Sequence, residues 1–512
     1  MDKALWPVGL AGLAVALGAL ALYVATLAPD VLVGDSGEFQ FTGAILGVPH
    51  PTGYPLYTLL SKLATTLPFG NVAYRINLSS AIYTAAAAGI LTVLVWQLAG
   101  WLMPAAPGRG LRAALVLAAV AIGGLWAVAG TVWAQAVVAR TYALNGLLVA
   151  ACLTAWLLWW RTQRRASFLA GALLLGLSLA HHGTTVMLLP GYVLLAALGE
   201  WASPPQPWPA RRRRWLEGLA AVALGLSPLL FLAYRFVFGY SYYWGNPQSW
   251  ADVWFLARGG PFAGQIFAYP FTVTDQAVRV ALGGEQIARQ FGVTGLLLGL
   301  AGLARLLLDR RTRGAGVSLA VLLIGSFGFA INYGIIGHIY LIPTYLFWAL
   351  FMAAAATWPF ALAARVPAGR VRQVLQTGTV LALAVGALLV PAGLAAARLP
   401  DQDRSADTQV RDMARETLAL AETGARISVD WESLCVFRYY RLVEGRRTDL
   451  ELYSEDPRDW YGRIAEDLAR GRPTYVGGFA GPNPPADVRR DFILARVGLV
   501  YKVLGWQPGA AR

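Results

Sequence analysis

The chain has 512 residues, 57% of them apolar and 14% charged, a balance that excludes an ordinary water-soluble globule and points to a chain solvated largely by lipid. Its formal net charge of +14 would suit a nucleic-acid partner in a soluble protein. Here the basic residues fall in short runs between apolar segments, the mark of membrane topology, so the expected partner is a lipid bilayer and not nucleic acid.

A bilayer core about 30 Å thick takes roughly 20 apolar helical residues to cross. Stretches of that kind occur at 6–28, 78–103, 111–131, 142–160, 166–180, 184–199, 216–238, 291–308, 317–333, 340–358 and 375–397, which predicts eleven spans. The first is too long for a signal-peptide core and lacks a small-residue cleavage site, so it is read as a span. Basic residues occupy every second connection: Lys3, Arg109 and Arg112, then Arg161, Arg164 and Arg165, then Arg211 to Arg214, then Arg305, Arg310, Arg311 and Arg313, then Arg365, Arg370 and Arg372. This alternation places the N-terminus in the cytoplasm and, with an odd number of spans, the residues after the last span outside the cell membrane.

The outer connections carry a different inventory: Asp30, Asp35, Glu38, His50, Arg75, Arg140, His181, His182, Arg258 and His338, with a long loop over 239–290. All four histidines fall on that side. From about Leu399 the composition becomes that of a soluble domain. A helical stretch over 404–422 leads to a strand at 426–431, a helix at 433–443, a strand at 449–453, a helix at 458–470 and strands near 474–478 and 499–504, a small α/β unit. Two domains are therefore expected, residues 1–398 in the membrane and 399–512 outside it. The second has no glycine-rich turn after its first strand, so no dinucleotide or phosphate-loop site is expected there. Cys152 and Cys435 lie far apart in different surroundings, which argues against a disulfide framework.

The first outer connection, Leu27-Ala-Pro-Asp-Val-Leu-Val-Gly-Asp-Ser-Gly-Glu-Phe39, sets two carboxylates just after a span. Asp35 as N-cap and Glu38 three residues on would form a capping box. A carboxylate held there could equally take the proton of an acceptor hydroxyl as a bond forms. The prolines and glycines of Gly47-Val-Pro-His-Pro-Thr-Gly-Tyr54 dictate a rigid turn that would hold His50. Arg75 is either a headgroup anchor or a phosphate ligand. In the long loop, Tyr240, Tyr242, Tyr243, Trp244, Trp250 and Trp254 form either an interfacial belt or a platform for sugar or lipid, with Asn246 available to hydroxyls.

These residues carry a resemblance. The Asp-Ser-Gly-Glu-Phe run, the Gly-Val-Pro-His-Pro-x-Gly-Tyr-Pro-Leu-Tyr turn and Pro68-Phe-Gly-Asn-Val-Ala-Tyr-Arg-Ile-Asn77 resemble the N-terminal signature of bacterial membrane proteins related to the eukaryotic transmembrane O-mannosyltransferase of plexin-type receptors. Trp133-Ala-Gln-Ala-Val-Val-Ala-Arg-Thr-Tyr-Ala-Leu-Asn145, Leu179-Ala-His-His182 and Trp244-Gly-Asn-Pro247 support it. The resemblance implies an α-helical polytopic GT-C fold, a polyprenyl-phosphate-linked sugar donor with mannose as a candidate, and a protein or glycan acceptor. It implies an inverting hexosyl transfer with Asp35 as base and Glu38 as its neighbour. Arg140 and His182 lead the candidates for the leaving phosphate, followed by His181, Arg258 and His338. Arg140 stands where relatives usually carry a glutamate, and Asn332-Tyr-Gly-Ile-Ile-Gly-His-Ile-Tyr340 lacks an aspartate expected near its end. No cofactor is called for and no metal ligand set is recognised, with a divalent ion left open. A transporter or flippase is the rival reading, weakened by the absence of a clear internal repeat and by how few ionisable residues lie inside the spans. A metal-dependent hydrolase lacks a His-Glu-x-x-His helix. A non-catalytic scaffold is the third alternative.

Overall fold

The computed structural model describes residues 5–103, 109–335, 337–363, 366–367, 369–479 and 483–510, so Lys3 and Arg365 of the topology reading lie outside the described residues. Among the described residues ten helices are long and apolar enough to cross a membrane: Pro7–Ala25, Val72–Trp101, Gly110–Ala127, Thr141–Thr162, Gly183–Trp201, Trp208–Phe238, Val273–Leu308, Arg313–Asn332, Gly337–Phe360 and Gln373–Gln402. A shorter apolar helix, Arg165–His181, stands fifth in the series. Every apolar stretch of the sequence thus corresponds, in order, to one helix, and the chain is a multi-pass membrane protein.

The exterior shows why. Leu13, Leu17, Leu219, Leu230, Leu300 and Leu388 point outward and exposed, which is tolerable only against lipid tails, while Tyr23, Trp133, Trp159 and Phe347 fill the interior. Lipid is as apolar as a leucine, so such helices associate through close packing of small residues. The first two spans meet at Gly12 and Gly89, where a Cβ on Gly12 would come 2.8 Å from the Gly89 carbonyl. Gly302 of the eighth span lies so close to the tenth that a Cβ would fall 1.7 Å from the Phe351 carbonyl oxygen. Gly302→Leu is therefore expected to lower stability by about 1–3 kcal/mol. The thermal unfolding midpoint in detergent checks this, with Gly378→Leu as control, since nothing lies within 4 Å of a Cβ there.

The loop expected over 239–290 is largely helical. Ser249 caps a helix over Trp250–Ala257 in a complete capping box with Asp252. The Val273–Leu308 helix then begins well before the apolar stretch and breaks at Gly292, with φ 73° and ψ 168°. Its first half carries Asp275, Arg279, Glu285 and Arg289, too charged to read as a span but compatible with a helix standing clear of the apolar layer.

The C-terminal residues form a five-stranded sheet: β1 (Arg426–Val429), β2 (Glu451–Ser454), β3 (Thr474–Gly477), β4 (Phe492–Val497) and β5 (Val500–Trp506), in the order β2-β1-β3-β5-β4. β1 pairs in parallel with β2 and β3, and β5 pairs antiparallel with β3 and β4. β4 was not expected from the sequence. Its signal is Gly498-Leu499, a two-residue connection opening on a positive-φ glycine, which joins it to β5. The preceding helix spans Gln409–Leu420, starting later than the expected stretch.

No gap separates this sheet from the membrane helices. The last span runs on to Gln402, and the Arg404 N–H donates to the Thr26 carbonyl at 3.0 Å. Val31, Phe41 and Ala73 share one apolar core with Ile427, Leu434, Phe437 and Tyr440. The Ala73 N–H donates to Tyr439 Oη at 3.2 Å, and Arg411 and Arg415 stand 3.7 and 3.8 Å from the Asp30 carboxylate. The C-terminal unit is seated on the connection that follows the first span.

Candidate active site

The helix Gly34–Ile45 begins at an extended Val33, and no side chain caps it. The capping box expected of Asp35 and Glu38 is therefore not formed. Both carboxylates lie inside the helix and are turned to other partners. Gly37 has no room for a side chain, since a Cβ would sit 2.2 Å from the Leu32 carbonyl and 3.1 Å from Cys435 Cβ. That close contact brings the Trp431–Leu442 helix of the C-terminal unit against the Asp35 helix.

Glu38 is fully buried, and its carboxylate takes its hydrogen bonds from outside its own helix. The His50 N–H donates to both carboxylate oxygens at 3.2 Å, His50 Nδ1 is 2.5 Å from Oε2, and Tyr242 Oη donates to Oε1 at 3.0 Å. The Pro-Gly turn is thus pinned on one carboxylate. Gly53 and Tyr54 take positive φ to complete it. Burial pulls the His50 pKa down, but the Glu38 charge and hydrogen bond, with Asp35 beyond, outweigh it and hold the imidazole above its ordinary value.

Asp35 receives Arg140 Nη1 on Oδ2. Burial raises this carboxyl, while the Arg140 charge and hydrogen bond and the nearby His50 lower it; the net effect leaves it below the usual carboxylate range. Arg140 is extended, just before the fourth span, and its Nε is buried with no hydrogen-bond partner among the described residues.

A cavity of about 460 Å³ opens beside Asp35. His50, Tyr142, His182, Arg258, Tyr340 and Trp431 line it among others, so the connections after the first, fifth, seventh and last spans and the starts of the fourth and tenth all reach one place. Among the described residues Arg161, Arg164 and Arg165, Arg211 to Arg214, and Arg310, Arg311 and Arg313 stand in or beside the intervening connections, at the other end of the bundle.

His182 is 4% exposed. Its Nδ1 accepts the Thr184 N–H at 3.4 Å and lies 2.7 Å from Thr184 Oγ1. A backbone N–H can only donate, so the ring carries its hydrogen on Nε2, which is buried and has no partner among the described residues. Trp244 lines the cavity and, with Trp431, also a second one of about 390 Å³ that includes Asn246, Arg438 and Ser454. Asn246 Oδ1 accepts from Tyr240 Oη at 2.8 Å.

The other candidates stand apart. Arg75 donates to the carbonyls of Thr65, Leu67, Gly70 and Asn71, so its guanidinium organises a loop and does not reach the cavity. His181 is buried with Nε2 on the Thr141 carbonyl at 3.0 Å. His338 is exposed and off the cavity wall; Arg140, half-buried and paired with Asp35, is off it too. Sequence reasoning missed the aromatic walls, Tyr54, Tyr142, Tyr333 and Tyr340, and the contribution of Trp431. The tyrosines lay within the quoted motifs; Trp431 follows Asp430, whose side chain caps the helix that presents it. Among the described residues no group of three or more His, Cys, Asp or Glu side chains is placed to hold a metal ion.

The helix order, the cavity beside Asp35 at one end of the bundle and the C-terminal sheet packed on that end define an ArnT-like GT-C fold. The crystal structure of ArnT from Cupriavidus metallidurans bound to undecaprenyl phosphate superposes with a TM-score of 0.62, covering 95% of this chain and 96% of that one at 13% identity. Its apo form gives 0.54 at 14% identity. In sequence, residues 35–204 match the family model for the Protein O-mannosyl-transferase TMEM260 N-terminal domain. The mouse Protein O-mannosyl-transferase TMEM260 is 38% identical over 130 residues, 25% of this chain and 16% of the mouse protein. The Dictyostelium discoideum protein of that name is 26% identical over 316 residues, 57% of this chain and 36% of its own length. The stretch matched by the family model contains Asp35, His50, Arg140 and His182, and the chain spans well under two thirds of the length of either relative.

Proposed function

We propose that the chain is a membrane glycosyltransferase that moves a sugar from a polyprenyl-phosphate carrier to a hydroxyl of a protein or glycan. The observation that carries the reading is the cavity itself, where an ionised carboxylate, Asp35, faces cationic and N–H donors supplied by separate connections. In this reading Asp35 takes the acceptor proton as the hydroxyl oxygen attacks the anomeric carbon. The bond from that carbon to the carrier phosphate breaks, the configuration inverts, and the lipid leaves as its phosphate. His50, His182 and Arg258 receive that phosphate, and the tyrosines and Trp244 flank the sugar. The relatives' name supports mannose as donor sugar and protein as acceptor. The arginine-rich connections lie opposite the cavity, which supports a cytoplasmic N-terminus and an outward-facing site in the cell membrane.

The test is transfer of labelled mannose from a polyprenyl-phosphate donor to a hydroxyl-bearing peptide by the reconstituted chain. Uptake of free solute into the same vesicles without transfer would support a transporter instead. Replacing His182 by Phe keeps a flat aromatic ring, somewhat larger, but removes the Nε2 donor and the Nδ1 acceptor. It is expected to cost about 10²-fold in transfer, read at saturating donor, while loss of the Nδ1 acceptor of Thr184 lowers the stability by only about 1–3 kcal/mol.

A further inference from the structure

The C-terminal unit does more than sit over the cavity; one of its side chains reaches back to it through a continuous set of contacts. Arg438, on the Trp431–Leu442 helix, donates through Nη1 to Tyr242 Oη at 3.3 Å, and its guanidinium carbon lies 4.9 Å from the centre of the Tyr242 ring. Tyr242 Oη in turn donates to Glu38 Oε1 at 3.0 Å, and Glu38 Oε2 is 2.5 Å from His50 Nδ1. Phe41 fixes the tyrosine from the side, edge-on at 4.9 Å. Four residues from three separate parts of the chain therefore form one line, from the C-terminal helix, through the long loop and the first connection, to the cavity wall. A buried carboxylate with three independent hydrogen-bonding groups on it can keep only a narrow range of orientations.

We propose that Arg438 is a positioning residue of the active site: through Tyr242 and Glu38 it fixes the His50 ring at the cavity wall, so that the C-terminal unit completes the catalytic centre. The inference rests on the glycosyltransferase reading only in giving His50 a task at the donor phosphate. The titratable and charged groups that face His50 are Glu38 and Asp35 from the Asp35 helix, Tyr54 from its own turn, Arg140 beside Asp35 and His182 from the fifth connection. Those around Tyr242 are Glu38, Arg438 and Cys435. Arg438 and the tyrosine hydroxyl both stabilise the Glu38 anion. Without them the carboxylate holds the His50 imidazolium more tightly, and the loss of the His50 proton moves to higher pH.

The experiment uses the full chain in proteoliposomes with Arg438→Gln, Arg438→Lys and Tyr242→Phe, the last keeping the ring and its packing on Phe41. Transfer is measured against pH, and in parallel the modification of His50 by diethylpyrocarbonate is followed by peptide mass spectrometry, which reads the unprotonated ring without any need for turnover. Arg438→Gln and Tyr242→Phe are expected to lower kcat about tenfold and to move both pH curves upward by about half a unit or more, with Arg438→Lys recovering most of each. Curves that overlay the wild type in both assays, or a loss in Arg438→Gln that Arg438→Lys does not recover, overturn the proposal. If the wild-type chain transfers no sugar, the functional reading falls, while the modification curves still decide the Arg438 connection.

Discussion

Asp35→Asn is expected to reduce sugar transfer by about 10²–10⁴-fold, the range that a positioned general base contributes, with little change in folding. The amide keeps the shape of the side chain and can still accept from Arg140, but it cannot take a proton. Stability should hold because the Asp35 side chain is 34% exposed on the cavity wall, where an ion pair contributes little. Donor binding should hold as well, since no phosphate ligand is removed. The readouts are initial rate at saturating donor and acceptor, and unfolding midpoint in detergent. A variant that transfers within a few-fold of wild type at an unchanged midpoint would remove Asp35 from the role of base. The wild-type pH profile carries a second check. A carboxyl held below the usual range stays ionised as pH falls, so the acid limb belonging to Asp35 lies below the ordinary carboxylate region, and activity persists through mildly acidic conditions.

Much of this could be read from the chain, for identifiable reasons. Spans are legible because lipid imposes a length and a composition that little else shares, and each of the apolar stretches became a helix. The kink at Gly292 falls where the apolar run begins, since charge and not helical propensity set the expected boundary. Asp35, Glu38 and His50 were legible as a cluster because proline and glycine around them leave the chain few conformations. What escaped was pairing across distance. Nothing in the sequence joins Glu38 to His50 and Tyr242, or Asp35 to Arg140, because those contacts depend on how the connections fold over one another at one end of the bundle. Arg75 shows the opposite error: a basic residue beside a span invites a phosphate, but its guanidinium is taken up by four nearby carbonyls.

Arg140→Met is the second change expected to have a large effect, and it separates two things that Arg140 does for Asp35. One is orientation: its Nη1 fixes the carboxylate that points to the cavity, and a displacement of the order of 1 Å at a reacting group costs about 10²-fold in rate. The other is charge. Burial pushes the Asp35 carboxyl up, and the Arg140 cation is first among the groups that bring it back down. With the cation gone, burial is opposed mainly by His50, so the carboxyl rises and the acid limb of the pH profile moves to higher pH. Raising the pH should restore the part of the loss that comes from protonation and leave the part that comes from orientation, so the variant's rate climbs with pH to a plateau still well below wild type. The stability linkage follows the same sign. In the wild type a lowered carboxyl contributes stability above its unfolded value, and that contribution is lost as pH falls through the folded value. The variant should lack that acid-side loss. Arg140→Glu sharpens the contrast, because it places a second carboxylate against Asp35, as the resemblance implies for related chains, and two such groups at close range cannot both ionise freely. An acid limb that stays in place in both variants would show that Arg140 does not set the charge state of Asp35.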